Sequence, residues 1–360
     1  MSKESLEWLN RNTLIGFTDK RSKAWHYRAS EQGSEPNHYP GAIPVADVKR
    51  RLFSWQALEL PISIEIPTDV GTMTTISDEG MPIRFQRVPG RKAIAASDDY
   101  SVLGVFKDGY QPHQYEDWLL NNVAKILDDN LSISSAGLLR NRAVAWVEVS
   151  VPDNVITPEG VEFRPNLLAT TSFDGSLATT FKRTITATKC DNTLSIALSE
   201  HGPQMKFKHS RNSTARIADA KAALEIIYTA ADDFSAQVAR MTSQKVSEAD
   251  WAKIVERLVP VDPDATSTRG ATLAAQKRAQ LNELYFNDPR VTEHTGDAYG
   301  VWQAVNTWNA HVMPVREKTI RAERNQIAAI DGTVEKQDMA VFQALGLMGF
   351  GQDLALAPLG

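Results

Sequence analysis

The chain has 360 residues, 42% hydrophobic and 23% charged, with a formal net charge of -5. These are ordinary globular values, which exclude a disordered, fibrous or uniformly basic nucleic-acid-coating protein and leave room for two or three domains. A lone cysteine excludes an intramolecular disulfide, and no apolar run approaches a signal-peptide core or the ~18 residues of a membrane span, so a cytoplasmic protein with no membrane association is expected.

Residues 1–95 read as an N-terminal arm and a small antiparallel β subdomain. "KAWHYRASEQGSEPNHYPGAIP" is extended loop around Trp25, and "ADVKRRLFSWQ" is a short helix. "PISIEIP", "GTMTTIS" and "PIRFQRV" then alternate apolar with polar between Pro, Gly and Asp breaks, the pattern of short strands. Residues 96–245 read as a central α+β core. "SVLGVFK" is a strand, and "QYEDWLLNNVAKILDD" is a helix with Trp118, Leu119, Val123, Ile126 and Leu127 at helical spacing. "SISSAGLLRNRAVAWVEVSV" is two strands joined near Arg140-Asn141. Asp174-Gly175, between "FRPNLLATTSF" and "SLATTFKRTITATK", is a hairpin signal. A long helix follows, with Ile217, Ala220, Leu224, Ile227, Ala231, Val238 and Met241 as its apolar stripe. Residues 246–360 read as helical, opening on a capping box at Ser247 and Asp250 and broken at Pro314. The fold class expected is therefore α+β: a curved antiparallel sheet crossed by a helix, then a long helix and a helical C-terminal region.

Signals for chemistry fail in turn. Cys190 has Asp191 beside it and His201 and His209 nearby, but strand neighbours point to opposite faces and no nucleophile motif surrounds it. It reads as a small buried hydrophobe. The seven histidines show no metal-ligand spacing, and phosphate-loop and dinucleotide fingerprints are absent. No catalytic residue, metal or cofactor is expected. Charge remains: residues 182–221 hold eight basic residues against three acidic ones. Strand 177–189 carries Leu177, Phe181, Ile185 and Ala187 on one face with Arg183, and Thr180, Lys182, Thr184, Thr186 and Thr188 on the other. Hydroxyls and cations on an exposed strand face are donors suited to a phosphate backbone, without sequence information. The expected DNA contacts are Lys182, Arg183, Lys189, Lys206, Lys208, Arg211 and Arg216, with Thr184 and Thr186. The competing reading is a solvated face whose arginines pair with Asp219 or Glu225.

"LGVFKDGYQPHQYEDWLLNNVAKIL", "FDGSLATTFKRTITATKCDNTLSIAL" and "AYGVWQAVNTWNAH" together resemble the phage/plasmid-like proteins grouped as domain of unknown function 932. The resemblance spans roughly residues 10 to 315, and Cys190, Asn192, Thr193 and Leu194 form its most specific element; "KAWHYR" is similar to a Trp-His element of those proteins. The family's Tyr-x-x-His-like C-terminal helix reads Trp308-Asn309-Ala310-His311 here, a departure from the pattern. The element order also resembles phage single-strand annealing proteins of the RecT, Red beta and Erf types. That resemblance implies a bacteriophage protein in the host cytoplasm that binds single-stranded DNA non-specifically. It further implies assembly into homo-oligomeric rings or helical filaments that promote annealing for recombination, with no hydrolysis. Tyr110 or Phe207 could stack bases. Two other classes stay open: a phage protein that binds and modulates a host protein through an apolar patch, and an enzyme using Cys190 or His209.

Overall fold

Two antiparallel sheets occupy the first part of the chain and helices the last, an α+β architecture. The structure is a computed structural model that describes all residues except 1–9, 22–26, 28, 68–74, 77–81, 128–130, 188–191, 195–204, 208, 210–219, 262–267, 316–320 and 347–360.

The chain opens with β1 (Thr13–Ile15), a single helical turn α1 (Thr18–Arg21) and α2 (Val45–Leu52). Strands β2 (Ala57–Pro67), β3 (Thr75–Ile76), β4 (Pro82–Ala96) and β5 (Val102–Lys107) form a four-stranded sheet, with β4 between β2 and the pair β3 and β5. Helix α3 (116–124) begins as a π turn. The central sheet then takes β6 (Ser132–Leu139), β7 (Val144–Ser150), β8 (Val155–Ile156), β9 (Glu162–Ser172), β10 (Thr179–Ala187), β11 (Asn192–Leu194) and β12 (Met205–Phe207). Its order is β1-β6-β7-β9-β10-β11, with β12 also on β10 and β8 on β9.

The Asp174-Gly175 signal does join β9 to β10. Gly175 adopts φ +75°, which glycine takes without strain, and the Asp174 carboxylate accepts from the Ser176 N–H at 2.8 Å. Between β6 and β7, Arg140, Asn141 and Arg142 all have positive φ (50°, 51° and 72°). Arg142 is anchored there by Asp98 and Asp99 at 2.8 and 2.6 Å, and it lies 4.8 Å from the Trp55 ring centroid.

Those contacts tie the two sheets together. Leu14, Val48, Leu52 and Ile94 share one core with Leu119, Val123, Val147, Leu167 and Phe181. Because β1 pairs with β6 and β5 completes the first sheet, the expected boundary at 95/96 runs through a sheet.

The helices follow as α4 (Ala220–Ser243), α5 (Glu248–Leu258), α6 (Thr268–Asn287), α7 (Ala298–Thr307, continued by a π turn, Trp308–Val312), α8 (Arg321–Asp331) and α9 (Thr333–Ala344). Ser247 caps α5, its hydroxyl accepting from the Asp250 N–H at 3.2 Å, and Pro314 stands just past the π turn. Phe163 and Ile185 of the sheet join Phe234, Val238, Met241, Trp302, Val305, Trp308 and Phe342 in a second core. The apolar Trp302, Val305 and Trp308 face is thus core packing.

At the start of α7, Gly300 meets a 3-10 turn so closely that an added Cβ would fall on the His294 carbonyl oxygen. Backbone cannot swing aside as a flexible side chain can, so Gly300→Ala is expected to cost about 3 kcal/mol. Urea titration of both proteins reads this, and equal midpoints would refute the close approach.

Candidate nucleic-acid interface

The basic residues expected on β10 are not free. Lys182 Nζ donates to Glu335 Oε1 of α9 at 2.9 Å, and only 11% of its side chain is exposed. Arg183 pairs with Asp233 of α4 at 2.6 Å. Thr180 and Thr184 are buried as well. The expectation of an exposed donor-lined strand face is therefore corrected: helices from the end of the chain cover it, with Ile327 and Ile330 of α8 packing near Leu168, the register partner of Lys182. Lys189, Lys208, Arg211, Arg216 and Cys190 lie outside the described residues. Lys206 and Thr186 sit in β12 and β10, opposite Thr180 and Arg164 respectively, but their side chains are not among those described.

Tyr110 is also committed elsewhere. It is stacked on Phe106 on one side (3.8 Å between centroids, 9° between planes) and on His209 on the other (5.1 Å, 6°). The stack continues from His209 to His113 (4.1 Å) and from His113 to Trp118 (3.5 Å). Both faces of Tyr110 are filled, which leaves no room for a base. Beneath the rings runs a directed set of hydrogen bonds. The Gln111 carbonyl, 3.2 Å from His209 Nδ1, requires a donor there, so His209 Nε2 accepts from the Thr171 hydroxyl at 3.2 Å. Thr171 then accepts from Thr179 at 2.7 Å, and Thr179 accepts from His113 Nδ1 at 2.6 Å. This leaves His113 Nε2 as a buried acceptor with no partner. Burial first, and His209 second, lower the His113 pKa to about 3; burial lowers His209 too. Both rings are neutral at pH 7, and the buried hydroxyls have no opening to a substrate.

Unpaired positive charge stands instead on the four-stranded sheet. Past Pro61 the β2 to β4 register shifts at a bulge that contains Gly90 (φ +73°), and the two strands run on to Pro67 and Pro82. Arg87 and Arg91 of β4 and Lys107 of β5 are exposed, with no ion pair among the described residues. Arg91 stands directly opposite Lys107, and like charges placed so are unfavourable unless an anion lies between them. Neighbouring Lys92, by contrast, is tied to Glu59 at 2.5 Å. The exposed acidic neighbours are Glu65, opposite Phe85, and Asp108. Further along the same two strands Phe85 is 59% exposed and Ile64 51%, on opposite faces by register. Sequence reasoning missed this group because its charges are spread over two strands and meet only through register.

Residues 102–330, well over half of the chain, match the family described as a domain of unknown function, DUF932. The chain belongs to that family. No curated protein and no solved structure matches it. The DUF932 match opens at the first residue of β5 and takes in Lys107, α3 and the whole central sheet, while Arg87 and Arg91 lie before it. Among the described residues no helix is long and apolar enough to cross a membrane, and no group of three or more His, Cys, Asp and Glu is placed to hold a metal ion.

Proposed function

We propose that this DUF932 protein is a phage-encoded, non-specific single-stranded DNA-binding protein that promotes annealing, with the DNA contacts on the four-stranded sheet rather than on β10. The observation that carries this reading is the pair Arg91 and Lys107, exposed and directly opposite one another with no ion pair among the described residues, with Arg87 and Phe85 exposed further along β4. Cations bind phosphate whatever the base, and an exposed ring stacks on any base, so the combination is sequence-tolerant. Self-association into rings or filaments is supported by the outward face of the same sheet. There Val102 and Val105 are exposed on β5, across Ala95 and Ala93 of β4 from Leu58 and Leu60 of β2, and the outer edge of β2 beyond Ala57 has no strand partner among the described residues.

The test is fluorescence anisotropy of labelled single- and double-stranded oligonucleotides against salt, with particle mass measured on the same samples. Wild type is expected to favour single strands. The Arg87→Ala/Arg91→Ala/Lys107→Ala protein should have a log K against log salt slope shallower by about 2, since each lost contact removes about 0.7. Lys182→Ala should leave that slope unchanged and lower stability, because it strands Glu335. An unchanged slope in the triple variant overturns the assignment. The exposed Ile64, Phe85, Tyr100, Val102 and Val105 favour a second reading, a phage protein that docks on a host protein. It requires no DNA binding even at low salt and capture of one partner that Phe85→Ser releases.

A further inference from the structure

Strand β2 is patterned for a burial that the single chain does not supply. It carries Leu or Ile at every even position from 58 to 66 and Glu, Ser or Pro at every odd one from 59 to 67, the alternation of a strand with one covered face. Ala57, at an odd position, joins the core shared by the two sheets. None of the even-position side chains is buried or belongs to a core.

Register shows what lies beside them. Leu58 and Leu60 stand opposite Ala95 and Ala93 of β4, which stand opposite Val102 and Val105 of β5, so all of them share the outward face. The valines are 64% and 54% exposed, while Ala93 is 9% and Ala95 0% exposed. Two walls of larger aliphatic side chains thus flank a floor of methyl groups, a trough about 10 Å across at the ordinary strand spacing. Arg91 and Lys107 stand at its end, and β2, β4 and β5 place no carboxylate on this face, because Glu59 and Glu65 are at odd positions. Two such troughs laid on each other would bring like charges together, which disfavours a two-fold contact of this face with itself.

A knob that fits the trough stands elsewhere on the chain. Ile156 of β8 is 66% exposed, its neighbour Val155 packs against the helical core, and β8 is held by β9 alone among the described strands. Acidic residues surround it in the hairpin: Asp153, bonded to Lys20, Glu159, and Glu162, its register partner. An apolar knob in an acidic setting complements an apolar trough that ends in cations. Knob and trough are both exposed in one chain, so they do not meet within it.

We infer that copies of this chain join head to tail, the β8–β9 hairpin of one copy seating Ile156 over Ala93 and Ala95 of the next. Such a contact, repeated, closes into rings or runs on as filaments according to the rotation between copies. It rests on the self-association part of the reading above and specifies its two surfaces. The test is particle mass, without DNA and up to about 100 μM chain, of wild type, Val102→Asp/Val105→Asp and Ile156→Lys, all changed at exposed positions. Wild type is expected to form assemblies larger than a dimer, and each variant alone to be a monomer. Mixed in equal amounts, the two variants should form a dimer and nothing larger, since one intact trough and one intact hairpin remain between them. Ile156→Ala, which adds no charge, should weaken association about tenfold or more, the effect of one aliphatic side chain left in water. A monomeric wild type, an assembly that survives in either variant, or a mixture that stays monomeric overturns the inference. No DNA is present, so the result is read apart from the salt slope of the Arg87, Arg91 and Lys107 variant.

Discussion

Above pH 8 the Asp338→Asn protein is expected to be more stable than wild type, by an amount on the order of 5 kcal/mol at most. Asp338 lies in α9 with no exposed surface and accepts from Trp302 Nε1 at 2.7 Å. Burial raises its pKa from 3.8 to about 8, a rise that Glu335 aids and the bonds from Trp302 and Asn306 only partly reverse. The folded chain therefore keeps a proton that the unfolded chain releases near pH 4. Stability from this group is complete below that value, declines as pH rises, and is gone once the folded group ionises at about 8. An asparagine keeps the oxygen facing Trp302 and carries no charge at any pH. Urea midpoints of the two proteins from pH 4 to 9 read the difference directly. Parallel curves would mean that Asp338 is not the titrating group.

Acid is expected to act in the opposite sense through the ring stack. His113 has a folded pKa of about 3 against an ordinary 6.5, so below 6.5 the unfolded chain binds a proton that the folded one refuses. Stability from His113 is complete above that value and is lost as pH falls toward 3. The magnitude is again on the order of several kcal/mol, because protonation would place a donor with no acceptor at Nε2 and a cation against His209. In wild type this loss overlaps the Asp338 gain between about pH 4 and 6.5, and the two largely offset each other, giving a flat profile. The Asp338→Asn protein should expose the histidine slope as a steep fall on acidification, and Asp338→Asn/His113→Gln should flatten it again. A steep fall that survives in the double variant would assign the acid sensitivity elsewhere.

Much of the fold is legible in residue order alone. The Asp174-Gly175 hairpin, the Ser247 cap, the stop at Pro314 and the buried Ala231, Val238 and Met241 stripe are local chemistry, and the structure has them where the pattern puts them. What covers a strand is not local. Thr180, Lys182 and Thr184 alternate as a solvated face would, and nothing within β10 tells that Glu335 and Ile330 close over it. The same limit hides the group on the four-stranded sheet, since Arg91 and Lys107 become neighbours only through register. Windowed charge counting favours residues 182–221, where the two basic side chains of β10, Lys182 and Arg183, are already paired.

The pairing of Lys182 with Glu335 joins residues 153 apart in sequence. During synthesis, at roughly 5–20 residues per second, β10 leaves the ribosome about 10–30 s before its partner helix exists. Through that interval a lysine and several threonines that end up buried remain wetted, which keeps the nascent strand soluble where a valine-rich strand would invite misassociation. Closure of the central sheet is then a late, long-range event, and folding speed is set by the arrival of the last helices rather than by the hairpins that form first.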